Sequence, residues 1–175
     1  MAVNVSAADL ASDSIVGLLD AMLARGGITA ANLVLEITER GILDIETART
    51  VIGTLRGRGI KVAIDDFGTG YAGLSYLESL QVDALKIDRS FIEAIGTTAP
   101  TNQVVSHIIA MASAMRLAMV AEGVETPVQA DYLRSRGVHY AQGWLFGKPQ
   151  PFKDVAALAT RHAAGTPQRT GAAGS

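Results

Sequence analysis

Cysteine is absent from the 175 residues of the chain. Its absence excludes a disulfide scaffold, a metal site built on thiolates and a cysteine nucleophile, and it is compatible with a reducing compartment. An excess of charge is also missing, because the formal net charge is only −2. The charge balance therefore gives no electrostatic basis for binding a nucleic-acid polymer.

The chain also lacks a long apolar run. The longest such stretch, near residues 108–121, contains Arg116 and is too short to span a bilayer. The first residues show no basic region followed by an apolar run, which is the pattern of a signal peptide. We therefore expect a soluble, cytoplasmic domain without a membrane segment.

Hydrophobic residues are abundant, at 49% of the chain, and they recur in alternating strand-like and helix-like stretches. Strands are predicted at 1–6, 32–38, 61–67, 84–89, 118–124 and 139–144. Helices are predicted at 7–27, 47–58, 74–80 and 102–116, from Thr126-Pro127 onward, and at 152–163. We expect a folded domain over residues 1–163 and a disordered tail over residues 164–175.

Strands that alternate with helices at this spacing indicate parallel βαβ units in an α/β fold. Most of the predicted strands carry continuous apolar runs, as strands covered on both faces do. Six units are too few for a closed eight-stranded barrel and too many for half of one. The pattern leaves two architectures open, an incomplete TIM-like barrel and a doubly wound open sheet.

Polar side chains end every predicted strand. They are Asn4 and Ser6, Glu36 and Glu39, Asp65 and Asp66, Lys86 and Asp88, Glu122 and Glu125, and Gln142. In a parallel barrel these strand ends lie on one face, where so many carboxylates need compensating cations. Oxygen ligands favour Mg²⁺ or Mn²⁺, and adjacent aspartates such as Asp65 and Asp66 can share two ions.

Less specific interpretations exist for each residue alone. A single carboxylate at a strand end is more often solvated or a helix N-cap than a metal ligand, and Glu39 is best interpreted as an N-cap or a loop anchor. Trp144 and Phe146 are interpreted as packing residues on composition alone. Lys86 can hold a phosphate oxygen or the attacking water, and the glycine-containing stretch 67–73 is interpreted as a flexible loop over the site.

Five motifs together resemble a known family. They are "NVSAADL", "LEITE", "IDDFGTGYAGLSYLESLQVDALKIDRSFI", "VAEGVET" and "AQGWLFGKPQP". In order and spacing they resemble the EAL-domain cyclic di-GMP phosphodiesterases over roughly residues 2 to 158. The resemblance implies a TIM-like barrel with one antiparallel strand, and hydrolysis of cyclic di-GMP to pGpG with Mg²⁺ or Mn²⁺. As partners it implies cyclic di-GMP, and a homodimer or an upstream sensory or GGDEF-type domain.

The resemblance also implies a role for individual residues. Asn4, Glu36 and Asp65 resemble ligands of a first metal ion. Asp66 and Asp88 resemble the surroundings of a second, with Asp88 among the catalytic residues. Lys86 resembles the residue that positions the attacking water, and Glu122 a metal ligand or general base. Gln142 resembles a glutamine near the water and metal, Phe146 and Pro149 the border of a guanine base, and Glu39 the anchor of the loop 67–73.

One part of the family pattern has no counterpart in the sequence. The Glu-Ala-Leu motif precedes the asparagine motif in this family, whereas Met1 here lies three residues before Asn4. We therefore expect the first two strands, one metal-binding glutamate and a phosphate-binding arginine to be missing, either because the chain is a fragment, which is favoured, or because it is a natural truncation.

The alternative to a phosphodiesterase is an inactive module that binds cyclic di-GMP or a protein partner. A barrel unrelated to this family is a third interpretation.

Overall fold

A single parallel sheet of six strands forms the centre of the molecule in the computed structural model. The structure describes residues 1–10, 14–39, 42, 44–68, 74–99, 101–151 and 153–156. The strands are β1 (Ala2–Val5), β2 (Val34–Thr38), β3 (Lys61–Phe67), β4 (Ala84–Ile87), β5 (Ala118–Ala121) and β6 (Tyr140–Ala141). All six lie where the hydrophobic pattern predicts strands, although β6 is much shorter than the predicted 139–144.

Helices connect these strands. They are α1 (Ala7–Leu10), α2 (Ser14–Ala24), α3 (Ile45–Gly57), α4 (Leu74–Leu80), α5 (Arg89–Ile92), α6 (Thr101–Ala114) and α7 (Pro127–Ser135), and a short 3-10 turn spans Ala30–Asn32. The short helix α5 is missing from the sequence prediction. Residues 153–156 of the predicted last helix are helical, whereas the rest of that helix and the predicted tail lie outside the described residues.

The strands pair in the order of the sequence. Each neighbouring pair is parallel, from β1 with β2 to β5 with β6. A doubly wound sheet would reverse its strand order at a switch point, so that alternative is wrong for the described strands. The antiparallel strand that the family resemblance implies is not among these pairings, and β1 and β6 form the two edges of the described sheet.

The two faces of the sheet differ sharply. The outward face packs against the helices through fully buried aliphatic side chains, including Leu35, Ile37, Ile64, Leu85 and Ile87. Burial of each such side chain contributes about 1.5–3 kcal/mol. Because successive side chains in a strand alternate between faces, the residues between them point inward. They line an inner cavity of about 570 Å³, whose wall includes Ala63, Ala84, Ala118, Glu36 and Lys86.

Helix α3 shows how local sequence sets these elements. Asp44 caps its first turn by accepting a hydrogen bond from the backbone N–H of Glu46. Its buried residues Ala48, Val51, Ile52 and Leu55 recur at helical spacing and face the sheet. None of the helices in the described part of the chain has the length and apolar character needed to cross a membrane.

Candidate metal and active site

Lys86 is the centre of a buried ionic cluster at the carboxyl ends of the strands. Its ammonium lies 2.9 Å from a carboxylate oxygen of Glu36, 2.9 Å from one of Asp65 and 2.7 Å from one of Glu122. Only 7% of the lysine side chain is exposed. The three carboxylates come from, or directly follow, β2, β3 and β5, so the cluster joins four neighbouring strands through one side chain. We call these four residues the Lys86 cluster.

Strand register explains why these side chains meet. Lys86, Glu36 and Asp65 alternate with buried outward-facing residues of β4, β2 and β3, and so project from the inner face. Asn4 of β1 is paired in register with Glu36 of β2. Neighbouring residues of paired strands point to the same side, which places Asn4 on the inner face next to Glu36.

Asp66 reaches the same rim by a different route. In a regular strand it would point away from Asp65, but β3 contains one extra residue between Ile64 and Phe67 relative to β4, and Asp66 has φ of +52°. Such a bulge redirects a side chain. As a result, carboxylate oxygens of Asp65, Asp66 and Glu122 all lie within 4.8 Å of one another.

The electrostatics of the Lys86 cluster keep the ammonium charged. Burial lowers the pKa of Lys86, but hydrogen bonds to Glu122, Glu36 and Asp65 together outweigh burial and raise it above its usual value. For Glu122, burial raises the pKa, and the hydrogen bond to Lys86 only partly opposes this. Gln142 donates a hydrogen bond of 2.6 Å to the same Glu122 oxygen and so orients the carboxylate.

The donor set fits a hard divalent cation. Three carboxylates share a single ammonium in the Lys86 cluster, so the group keeps an excess of negative charge that a cation would offset. The close oxygen atoms of Asp65, Asp66 and Glu122 are the kind of ligand that Mg²⁺ and Mn²⁺ prefer. The geometry brings together most of the predicted ligands at one rim.

Two predicted site residues are engaged in local contacts. Glu39, which is only 5% exposed, accepts a 2.9 Å hydrogen bond from the backbone N–H of Gly68, directly after β3. It thus holds the first residue that follows β3, whereas residues 69–73 of the predicted loop lie outside the described residues. Asp88 caps α5 by accepting from the backbone and the hydroxyl of Ser90, and it is not one of the three clustered carboxylates.

The residues 142–149 that follow β6, which we call the Trp144 segment, border the Lys86 cluster. They form part of a cleft of about 450 Å³ that is also lined by Glu122 and Arg89 and includes Pro149. Trp144 and Phe146 are 56% and 58% exposed, so their interpretation as packing residues is wrong. Arg89, whose guanidinium carbon lies 5.8 Å from the ring centroid of Trp144, was not predicted as a site residue, because the two residues are far apart in sequence.

Comparisons with known proteins agree with this geometry. A family model for the EAL domain matches residues 1–149. The chain is 42% identical over 152 residues to the cyclic di-GMP phosphodiesterase NbdA of Pseudomonas aeruginosa, covering 86% of this chain and 19% of that protein. It spans less than a third of the length of the curated relatives it matches.

Solved structures give the same picture. The EAL domain of Mycobacterium smegmatis DcpA superimposes with a TM-score of 0.85 at 42% identity, over 91% of this chain and 72% of that one. A manganese and cyclic di-GMP complex of Klebsiella pneumoniae BlrP1 superimposes with a TM-score of 0.76 at 34% identity, over 85% of this chain and 38% of that one. The predicted fold class, an incomplete TIM-like barrel, is confirmed.

Proposed function

The chain belongs to the EAL domain family, and on that premise we propose that its rim site hydrolyses cyclic di-GMP to pGpG with Mg²⁺ or Mn²⁺. One observation carries the proposal: carboxylates from separate strands converge on the buried Lys86 ammonium. The complex of the similar BlrP1 contains manganese and cyclic di-GMP, and NbdA is named as a phosphodiesterase of this nucleotide. Both support this choice of metal class and substrate.

The metal ligands are assigned from the family resemblance. Asn4, Glu36 and Asp65 would hold one ion, and Asp66 with Asp88 would surround a second. Glu122 lies close enough to Asp65 and Asp66 to contribute an oxygen. A divalent ion bound there supplies Lewis-acid stabilisation of the charge that develops on the phosphodiester oxygens.

Glu122 is suited to act as the proton acceptor. Burial raises its pKa, and Gln142 fixes the direction of its carboxylate. In the reaction, the oxygen of a water molecule attacks phosphorus while Glu122 takes the proton of that water. The bond between phosphorus and the ribose 3′ oxygen breaks, the 3′ oxygen gains a proton, and the linear pGpG keeps a 5′ phosphate.

Lys86 has a double role in this scheme. An ammonium has three N–H donors, and each has a carboxylate partner here. It therefore holds the carboxylates together before substrate arrives. When any one of them turns away, the freed N–H can position the attacking water or hold a phosphate oxygen.

The Trp144 segment provides the substrate wall of the site. Gln142 adjoins Glu122, and the cleft beside them includes Pro149. Phe146, in the same segment, presents an exposed aromatic side chain. We assign Phe146 and Pro149 to the border of one guanine base, and Glu39 to anchoring the loop after β3.

The test is hydrolysis of cyclic di-GMP, followed by chromatography of pGpG in Mg²⁺ and in Mn²⁺. It compares this chain, any longer reading frame that contains it, and the variants Asp65→Asn and Lys86→Met, with Lys61→Met as the matched control. Lys61 is an exposed lysine at the start of β3 on the inner face. We expect pGpG from the unmodified protein and the control, and at least about a hundredfold loss in Asp65→Asn. Absence of pGpG from every form overturns the proposal.

A second candidate is a module that binds cyclic di-GMP or a partner protein without hydrolysis. The observation in its favour is that the Lys86 ammonium pairs with all three carboxylates and so offsets part of their negative charge before any metal ion binds. Isothermal titration separates the two, because saturable nucleotide binding without pGpG formation supports this second function alone.

The proposed setting of the domain is a longer cytoplasmic signalling protein. Two of the curated relatives are about three times as long as this chain, which leaves room for a sensory or GGDEF-type domain. Light scattering and the upstream reading frame test pairing of two copies and the presence of such a domain.

A further inference from the structure

We propose that Arg89 is a positioning residue that fixes the Trp144 segment beside the Lys86 cluster. Arg89 is the first residue of α5 and follows Asp88 at the end of β4. Its role concerns the shape of the rim and needs no contact with substrate. Only its consequence for nucleotide binding rests on the proposed function.

Arg89 joins three separate parts of the rim. Its guanidinium lies 3.0 Å from a carboxylate oxygen of Glu125, which is in the turn after β5, and 2.5 Å from one of Glu93 on the next turn of the chain. The same guanidinium carbon lies 5.8 Å from the ring centroid of Trp144. This is within the range of a cation–π contact, so one side chain connects the ends of β4, β5 and β6.

Gly123 creates the space for this connection. A Cβ atom at Gly123 would lie 2.4 Å from Cγ of Arg89 and 2.8 Å from its Cβ, and Gly123 has φ of +68°. The aliphatic stem of Arg89 therefore lies flat against the backbone that directly follows Glu122. The position of the arginine is fixed at its stem as well as at its charged end.

The Trp144 segment needs such a tether because β6 contributes little. That strand has two residues, and beyond it the segment is held by a few backbone hydrogen bonds: Gln142 N–H to Ala121, Val124 N–H to Gln142, and Leu145 N–H to Val124. The other cation at Trp144, Lys148 at 4.8 Å, belongs to the segment itself. Arg89, by contrast, lies in α5 after β4, so its contact links the Trp144 ring to a different part of the sheet.

The single tryptophan of the chain makes the proposal directly measurable. Acrylamide quenching of its fluorescence reports the accessibility of Trp144 in Arg89→Ala, Arg89→Lys and Glu93→Gln. We expect Arg89→Ala to raise the quenching constant at least about twofold, because loss of the cation–π contact lets the ring move away from the rim. Arg89→Lys should give an intermediate value, because an ammonium lacks the planar fork that contacts Glu125 and the ring together.

Glu93→Gln is the matched control. It removes an exposed ion pair of the same arginine but leaves the contacts to Glu125 and Trp144, so its quenching constant should equal that of the unmodified chain. Unfolding midpoints by circular dichroism check that each variant folds. Quenching in Arg89→Ala equal to that of the unmodified chain, or an equal rise in Glu93→Gln, overturns the proposal.

A second arm measures cyclic di-GMP affinity by isothermal titration in Mn²⁺. We expect the affinity of Arg89→Ala to fall about fivefold while Glu93→Gln is unchanged. If the unmodified chain binds no cyclic di-GMP but quenching still rises in Arg89→Ala, the proposed function fails and the positioning role stands. Raised quenching with unchanged nucleotide affinity overturns the link between Arg89 and the site.

Discussion

Lys86 and Trp144 lie at the same rim of the sheet, yet Lys86 is only 6% exposed whereas Trp144 is 56% exposed. Lys86 is held by three carboxylates that lie in, or directly after, the neighbouring parallel strands β2, β3 and β5. Trp144 is held by cations near its ring and by a short run of backbone hydrogen bonds beyond a two-residue strand.

This difference in burial distinguishes the Lys86 cluster, which we assign to the chemical step, from the Trp144 segment, which we assign to the substrate wall. Buried charges that have lost their hydration depend strongly on one another, so the Lys86 cluster behaves as a unit. Exposed pairs are weak individually, so the Trp144 segment can shift without unfolding the sheet. The following variants are ordered by expected effect on the free energy of unfolding.

Lys86→Met should have the largest effect. It removes the shared cation and leaves Glu36, Asp65 and Glu122 as mutually repelling buried carboxylates, which should cost about 3–5 kcal/mol of unfolding free energy. Urea denaturation of the metal-free protein measures the loss, and Mn²⁺ should restore part of it by replacing the lost positive charge.

Lys61→Met is the control for that variant. Lys61 is exposed at the other end of the inner face, and its replacement should change the unfolding free energy by no more than about 0.5 kcal/mol. Similar losses of unfolding free energy in both lysine variants would show that the charges of the Lys86 cluster depend on one another no more than exposed charges do. That result would contradict the distinction between the Lys86 cluster and the exposed surface.

Gly143→Ala should have an intermediate effect on the Trp144 segment. An added Cβ would lie 2.2 Å from the carbonyl oxygen of Val124, so the segment must move away from the turn after β5, at a cost of about 1–3 kcal/mol. Acrylamide quenching of Trp144 should rise as the segment moves. Gly147→Ala is matched in backbone angle, at φ of 153° against 157°, but meets nothing within 4 Å; equal effects of the two would contradict this account.

Asp20→Asn should have the smallest effect. Two hydrogen bonds join Arg58, the residue directly after α3, to Asp20 of α2 at the surface. These hydrogen bonds lower the pKa of Asp20 below its usual 3.8. Because the folded pKa is the lower one, this contribution to stability is present above the usual pKa and is lost as pH falls through the folded value.

Thermal unfolding between pH 2 and pH 7 measures that contribution. In Asp20→Asn the unfolding temperature should fall slightly less steeply as the pH is lowered. If Asp20→Asn lost as much stability at neutral pH as Lys86→Met, burial would not distinguish the Lys86 cluster from the exposed Asp20–Arg58 pair.

Much of the site followed from simple patterns in the sequence. The corresponding ends of parallel barrel strands lie on one face, which is why Glu36, Asp65 and Lys86 could be placed at one rim without a structure. Sequential pairing of the strands required the structure, because six βα units were compatible with two architectures.

Other features depend on contacts that no local pattern encodes. Asp66 joins Asp65 only because a bulge with a left-handed residue interrupts β3, and alternation alone predicts the opposite. The Arg89 contacts to Glu125 and Trp144 join residues 36 and 55 positions apart. The start of α5 could have been predicted from the sequence, because Asp88 is a favoured N-cap residue and its side chain accepts a hydrogen bond from the backbone N–H of Ser90.

Binding of Mn²⁺ to the 175-residue chain tests the central claim most directly. Titration calorimetry on the unmodified protein, Asp65→Asn and Lys61→Met compares a clustered carboxylate with a distant lysine. The account predicts saturable binding by the unmodified protein and the Lys61 variant, and affinity weakened by more than about tenfold in Asp65→Asn. No saturable binding by the unmodified protein, or equal affinity in Asp65→Asn, would contradict it.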